Sequence, residues 1–253
     1  MRVLGFETAS YSGGVAYRGP EGRFTEGPFE ARSASREILA AVDRILEKVG
    51  VGVEEIDLVA ASSGPGLFTG VRVGLSIAKT IVWNQKQAHP DSAKPALVEV
   101  PTLAAVAMCA FDRDDFDAAE MNILAVSDAR RGEVYAARYS ADAKDRTILA
   151  RSEDIVVRPD KLLARLAEKD PELMQQPCYL IGDGAARYRE TFEKSISRGS
   201  GFESPDSETL LQRLIDLGVQ SYEKGRTVSP VELEPHYVRR PDARPPASPF
   251  KSK

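Results

Sequence analysis

Gly64-Pro65-Gly66-Leu67-Phe68-Thr69-Gly70-Val71-Arg72-Val73-Gly74 is the stretch on which the reading of this chain turns. Asp57 to Ser62 before it is a short apolar run that reads as a buried strand, and Val71 to about Gln85 after it has helical spacing. The stretch is therefore a tight glycine loop between strand and helix, where exposed backbone N–H groups and the helix dipole favour an anion. It is not a P-loop, because no Gly-Lys-Ser/Thr triplet follows to meet the outer phosphates. Nor is it a dinucleotide fingerprint: its glycines run GxGxxxG, and Glu99 on the next strand lies too far along to meet a ribose. Two readings stand, an anion-binding turn or a turn with no further role.

Along the helix behind the loop, Gly70, Gly74 and Ala78 recur every four residues, although each glycine costs about 1 kcal/mol relative to alanine. Something approaches that face closely. Val71, Leu75, Ala78 and Val82 form one apolar stripe and Val73, Ile77 and Ile81 another, a wider arc than packing on one sheet requires. The surplus points to a helix from a partner, or to cover from the first helix and second domain of the same chain.

Upstream, Val3 to Thr8, Gly13 to Arg18 and Arg23 to Phe29 read as three short antiparallel strands separated by glycine turns. Ile38, Leu39, Val42, Ile45, Leu46 and Val49 then make one helical stripe, with Ser33 or Ser35 to cap its start and Gly50 its end. The order so far is βββαβα. Downstream follow a strand at Ala96 to Val100, an Ala-rich helix from Thr102 to near Phe111, and an acidic stretch, Asp112 to Asp117, suited to a domain boundary. A second αβ segment has strands at Asn122 to Val126, Glu133 to Tyr139 and Thr147 to Arg151. It continues with a helix from Pro159 to about Lys169, a strand at Cys178 to Ile181 and a helix after Gly184. Ser195 to Pro205 reads as a linker and Ser207 to Tyr222 as an amphipathic helix. Arg239 to Lys253, with five basic residues, one acidic and four prolines, reads as a mobile tail with weak affinity for anions.

A chain of 253 residues is one large or two small domains and can bury a sizeable core. With 42% hydrophobic and 28% charged residues, disorder and coiled coil are poor descriptions. The net charge of −4 is too small to recruit nucleic acid by bulk electrostatics, so any RNA contact needs a local basic patch. Val100 to Phe111, the longest charge-free apolar stretch, is too short to span a bilayer, and Glu7 interrupts any signal-peptide core. A cytoplasmic protein is expected. Cys109 and Cys178 are expected as small core residues, and His89 and His236 belong to no HxxxH or HExxH pattern, which disfavours metal catalysis. Asp128, Arg130, Arg131 and Glu133 form either a surface salt-bridge group or an anion contact. Glu7 and Thr8, ending the first strand, are either solvated or, in an actin-like fold, candidates to hold a nucleotide or metal.

These residues resemble the bacterial TsaB (YeaZ) family of tRNA threonylcarbamoyladenosine biosynthesis, historically filed with glycoprotease-like sequences. The likeness covers most of the chain. It rests on Phe6-Glu7-Thr8-Ala9, the GPGLFTGVRVG string from Gly64 to Gly74, Asp128-Ala129-Arg130-Arg131-Gly132-Glu133-Val134-Tyr135, the Gly182-Asp183-Gly184-Ala185 turn, and Pro235-His236-Tyr237-Val238-Arg239. The catalytic paralogue, TsaD, is longer and carries paired histidines that are absent here. Glu7 stands where TsaB proteins generally have Asp, and Ala34-Ser35-Arg36-Glu37 departs from their usual His-Ser-Glu.

The resemblance implies an α/β chain with the actin-like ATPase (ASKHA, Hsp70-like) fold of two related α/β lobes. The first lobe would take residues 1–103 plus 205–225, the second, smaller lobe 104–204, and a C-terminal extension with the basic, Pro-rich tail 226–253. It implies a non-catalytic scaffold that binds TsaD and is required for threonylcarbamoylation of the adenosine next to the anticodon in ANN-decoding tRNAs. A TsaE-type ATPase, a homodimer when alone, and tRNA met through the complex are the implied partners, with no membrane. No intrinsic cofactor is implied, with room for ATP or ADP at or near the complex interface. The expected partner surface is Ile38, Leu39, Val42, Ile45 and Leu46 with Val71, Gly74, Leu75 and Ala78. The expected anion or nucleotide contacts are Glu7, Thr8, Gly64, Gly66, Thr69 and Arg72. The alternative is a nucleotide-dependent phosphotransferase or ATPase of the same fold.

Overall fold

A computed structural model of the chain describes residues 1–11, 13–29, 34–112, 121–142, 144–169, 178–194 and 201–239. Ser33, the acidic stretch past Asp112, residues 195–200 of the expected linker and the tail beyond Arg239 lie outside them.

The first sheet begins as an antiparallel meander of β1 (Val3–Glu7), β2 (Gly14–Gly19) and β3 (Gly22–Glu26). After α1 (Ala34–Val49) the chain returns as β4 (Leu58–Gly64), crosses by α2 (Phe68–Ala88) and returns again as β5 (Ala96–Pro101). Helical crossovers make β1, β4 and β5 parallel, and the order is β3-β2-β1-β4-β5. Helix α2 starts three residues earlier than the periodicity predicts, because Phe68, Thr69 and Gly70 already form its first turn.

After α3 (Thr102–Met108) the plan repeats. Strands β6 (Met121–Arg130), β7 (Glu133–Asp142) and β8 (Thr147–Ala150) form a second meander, and β9 (Ile155–Val157) also pairs with β7. Helix α4 (Pro159–Lys169) leads to β10 (Cys178–Ile181), then α5 (Asp183–Arg187), α6 (Arg189–Glu193), β11 (Phe202–Glu203) and α7 (Ser207–Glu223). The second sheet runs β8-β7-β6-β10-β11, with β6, β10 and β11 parallel, which is the strand plan of the first. Two lobes built to one α/β plan are the actin-like architecture. Strand β11 sits in the stretch that reads as a linker; two residues are too few for periodicity to register.

Three cores hold the layers together. One lies between the sheets, where Val3, Ala60 and Val98 face Ile123, Ala125 and Ala137 across α3 and α7. Helix α7 follows the last strand of the second sheet yet packs across β1, β2, β4 and β5, while α3 follows the first sheet and lies against β6, β7 and β8. The lobes thus exchange their third helices. A second core lies under α1 and α2, with Leu4, Phe6, Ile38, Ile45, Val71 and Leu75, and a third under α4, α5 and α6, with Leu124, Val126, Leu162, Leu180 and Phe192. Cys109 and Cys178 are free and buried, as expected. Burial pushes both thiols up, Cys178 to about 12, so neither is a ready nucleophile.

Candidate functional site

The glycine spacing of α2 has an internal cause. A Cβ on Gly66 would stand 2.2 Å from the Ala9 carbonyl oxygen, one on Gly70 1.9 Å from the Thr8 carbonyl oxygen, and one on Gly74 2.2 Å from Thr8 Oγ1. The close approach that the sequence predicts is made by the end of β1, not by a partner. Glu7, at the same place, is fully buried. Its Oε1 accepts from the backbone N–H groups of Ala9 at 2.8 Å and Ser10 at 2.9 Å, so the carboxyl closes its own turn. Desolvation raises its pKa, and those hydrogen bonds oppose the rise. Thr8 donates its N–H to Ser62 Oγ, and Gly64 donates its own to Thr102 Oγ1.

The segment after α7 runs back over the glycine loop and ties both lobes. Val228 N–H donates to the Leu97 carbonyl and His236 N–H to the Ser63 carbonyl, and Leu233 is buried in the core under α1 and α2. Gly64 adopts a φ of +107°, and a Cβ there would stand 2.8 Å from the His236 carbonyl oxygen. On the second lobe His236 Nε2 lies 3.1 Å from Asp154, and Arg239 pairs with Glu133 and donates to the Ala129 carbonyl. The Tyr237 ring stacks on Phe68 at 5.2 Å, and its hydroxyl accepts from Arg72 Nε at 2.7 Å. The Gly64 and Pro235 strings are each visible in the sequence, but their packing on one another exists only in the tertiary structure.

Between loop, strap and the β6–β7 turn lies a cavity of about 480 Å³, walled by Pro65, Phe68, Arg130, Arg131, Tyr135, Tyr237 and Arg239 among others. Across its mouth Arg130 Nε donates to the Tyr11 hydroxyl at 2.5 Å, and the guanidinium lies over the Tyr11 ring. Asp128, nearly buried, pairs with Arg130 and Arg187, so the acidic and basic residues of this turn largely satisfy one another. Of the expected anion contacts, Glu7, Thr8, Gly64 and Gly66 face the chain's own backbone, Arg72 is held by Tyr237, and Thr69 is exposed beside the groove described next. Among the described residues no cluster of three or more His, Cys, Asp and Glu is placed to hold a metal.

The expected partner surface needs correction. Ile38, Val42, Ile45, Leu46, Val71, Gly74, Leu75 and Ala78 are buried against the first sheet. Leu39 alone of that set is exposed. The stripe of Val71, Leu75, Ala78 and Val82 is the one that packs on the sheet. The outward face carries the other stripe: Leu39, Phe68, Thr69, Arg72, Val73, Ser76 and Ile77 line a shallow groove of about 380 Å³. Trp83, two turns beyond Ser76 on that side, is 51% exposed.

Residues 28–226 match the family model described as TsaD, tRNA N6-adenosine threonylcarbamoyltransferase. The chain is 28% identical over 243 residues to the tRNA threonylcarbamoyladenosine biosynthesis protein TsaB of Haemophilus influenzae, covering 94% of each. It is 27% identical over 248 residues to TsaB of Escherichia coli, covering 94% of this chain and 95% of that protein. Among solved structures, YeaZ from Pseudomonas aeruginosa superposes with a TM-score of 0.72 at 20% identity, over 93% of this chain and 99% of that one, a likeness of fold. The chain belongs to the TsaD family and, within it, to the TsaB (YeaZ) group that its sequence strings resemble.

Proposed function

We propose that this chain serves the formation of threonylcarbamoyladenosine in tRNA as a non-catalytic scaffold, docking a TsaD-type catalytic subunit on the outward face of α1 and α2. The observation that carries the proposal is the apolar face itself: Leu39, Phe68 and Trp83 are each about half exposed, with Val73 and Ile77 between them. Names shared by near-full-length relatives supply the pathway. The same face would pair two copies of the chain in the absence of the catalytic subunit, and a TsaE-type ATPase, ATP or ADP and tRNA join through the complex.

Support for a non-catalytic role comes from what the candidate catalytic groups already do. Glu7 is fully buried with its Oε1 closing its own turn, the glycine loop lies under the chain's own strap, and His236 pairs with Asp154. The test is threonylcarbamoyladenosine formation on tRNA by purified adenylate synthase, TsaD-type and TsaE-type proteins, with and without this chain. Product should be lost on omission. Equal product without it overturns the proposal, and calorimetry with magnesium and ATP then tests the phosphotransferase reading.

A further inference from the structure

We infer that the segment docking on the outward face of α1 and α2 is a helix with carboxylates at every seventh position, which meet a row of cations along α2: Arg72, Lys79 and Lys86. The inference rests on the docking proposed above and adds the chemistry that the partner must bring. These three are the charged residues of the whole 21-residue helix, all basic on a chain of net charge −4. They recur every seven residues, about 20° short of two full turns, so they keep to one side of α2 over about 21 Å. Arg72 and Lys86 are exposed, Lys79 is half-buried, and exposed Phe68 and Trp83 lie on the same side.

Elsewhere the chain compensates its surface cations. Arg2, Arg18, Arg23, Arg44 and Lys94 each pair with a carboxylate, whereas Arg72, Lys79 and Lys86 pair with none among the described residues. Arg72 donates Nε to the neutral Tyr237 hydroxyl and lies 4.0 Å over the Phe68 ring, contacts that hold the guanidinium at the groove without cancelling its charge. Two copies meeting α2 on α2 would set like charges together. The exposed acidic residues of α1, Asp43 and Glu47, stand four residues apart and do not match a row spaced by seven. Charge complementarity therefore selects an acidic helix of another chain over a second copy of this one. A helix crossing α2 at about 20° follows the row along its length; one crossing at about 50° leaves it after a turn or two. The apolar groove supplies contact area, and the cations supply register and speed of encounter.

The test is the association rate of a TsaD-type subunit with the full chain over a salt series. Lys79→Gln with Lys86→Gln preserves helix propensity, so Tm should stay near that of wild type. At low salt this variant should associate about threefold more slowly, and Lys79→Glu with Lys86→Glu about tenfold. Both differences should close near 1 M salt, where screening reaches about 3 Å. Arg72→Lys, which keeps the charge, should keep the rate. Equal rates and salt slopes in all variants overturn the inference. So does an equal loss of self-association by sedimentation, which assigns the row to a second copy. A wild type that does not bind the subunit overturns the docking proposal and this inference with it. Binding that Ile77→Glu weakens and the lysine variants leave untouched overturns this inference alone.

Discussion

In the first lobe the end of β1 is met by Gly66, Gly70 and Gly74. In the second the end of β6 is met by Gly182 and Gly184, whose added Cβ atoms would stand 2.3 Å from the Val126 carbonyl oxygen and 2.8 Å from the Ser127 carbonyl carbon. In both lobes an N–H at the end of the meander's first strand is taken by a side chain from the following parallel strand or the helix start just after it: Thr8 by Ser62 of β4, and Asp128 by Asp183 at the start of α5. The inner architecture is thus repeated down to the close approach of helix start to strand end. The outer faces diverge. Helix α2 is 21 residues long and carries half-buried Val73 and Ile77 and exposed Trp83 along its groove, whereas its counterpart breaks into two five-residue helices whose exposed residues include Arg187, Arg189 and Glu193. Repetition serves the fold, and the divergence is confined to the outer faces.

The sharpest way to break this comparison is to charge the shared inner layer. Leu75→Glu and Leu162→Glu both bury an unpaired carboxylate and should each destabilise the chain by about 4 kcal/mol or more, read by urea denaturation. A folded, partner-deficient Leu75→Glu would return that residue to the partner surface. Next, Gly70→Ala drives a methyl into the Thr8 backbone and should cost about 2–3 kcal/mol. Gly74→Ala meets the Thr8 side chain, with Oγ1 at 2.2 Å, Cγ2 at 3.1 Å and Cβ at 3.2 Å, rather than backbone, and gains about 1 kcal/mol of helix propensity, so its net cost should be smaller than that of Gly70→Ala.

On the divergent outer layer, Leu39→Glu and Ile77→Glu should leave Tm nearly unchanged and weaken binding to a TsaD-type subunit by about 2 kcal/mol. Arg189→Ala on the second lobe should do neither; calorimetric titration separates the two. The smallest effect concerns Glu7. Its folded-state pKa lies above its unfolded value, so the folded chain is favoured below the unfolded pKa and loses that advantage as pH rises through the folded one. Glu7→Gln keeps the acceptor for Ala9 and Ser10 without the titration. Its Tm should therefore gain on wild type as pH rises from about 4 to about 8. A constant difference would mean that Glu7 titrates alike in both states.

Much of the architecture was legible in sequence because it is local. The meander, the stripe of α1, α4, β10 and α7 all follow from spacing and turn residues. Strand β9 and strand β11 were not, since three and two residues carry no period and exist only by pairing with β7 and β10. In the candidate site the glycine loop is legible in the sequence, but which segment approaches it is not. Spacing reports that something lies within van der Waals reach of Gly74; it cannot report that the something is Thr8, 66 positions earlier.

What the sequence by itself determined is the set of amphipathic elements, their order, and the family strings, because each depends on residues within a few turns of one another. The tertiary structure alone decided which stripe of α2 faces the sheet, that α3 and α7 change lobes, and that the segment up to Arg239 closes over the Gly64 loop to frame a cavity with the arginine turn. Those outcomes depend on which apolar face loses more water when distant segments meet, and a periodicity carries no information about the surface that awaits it.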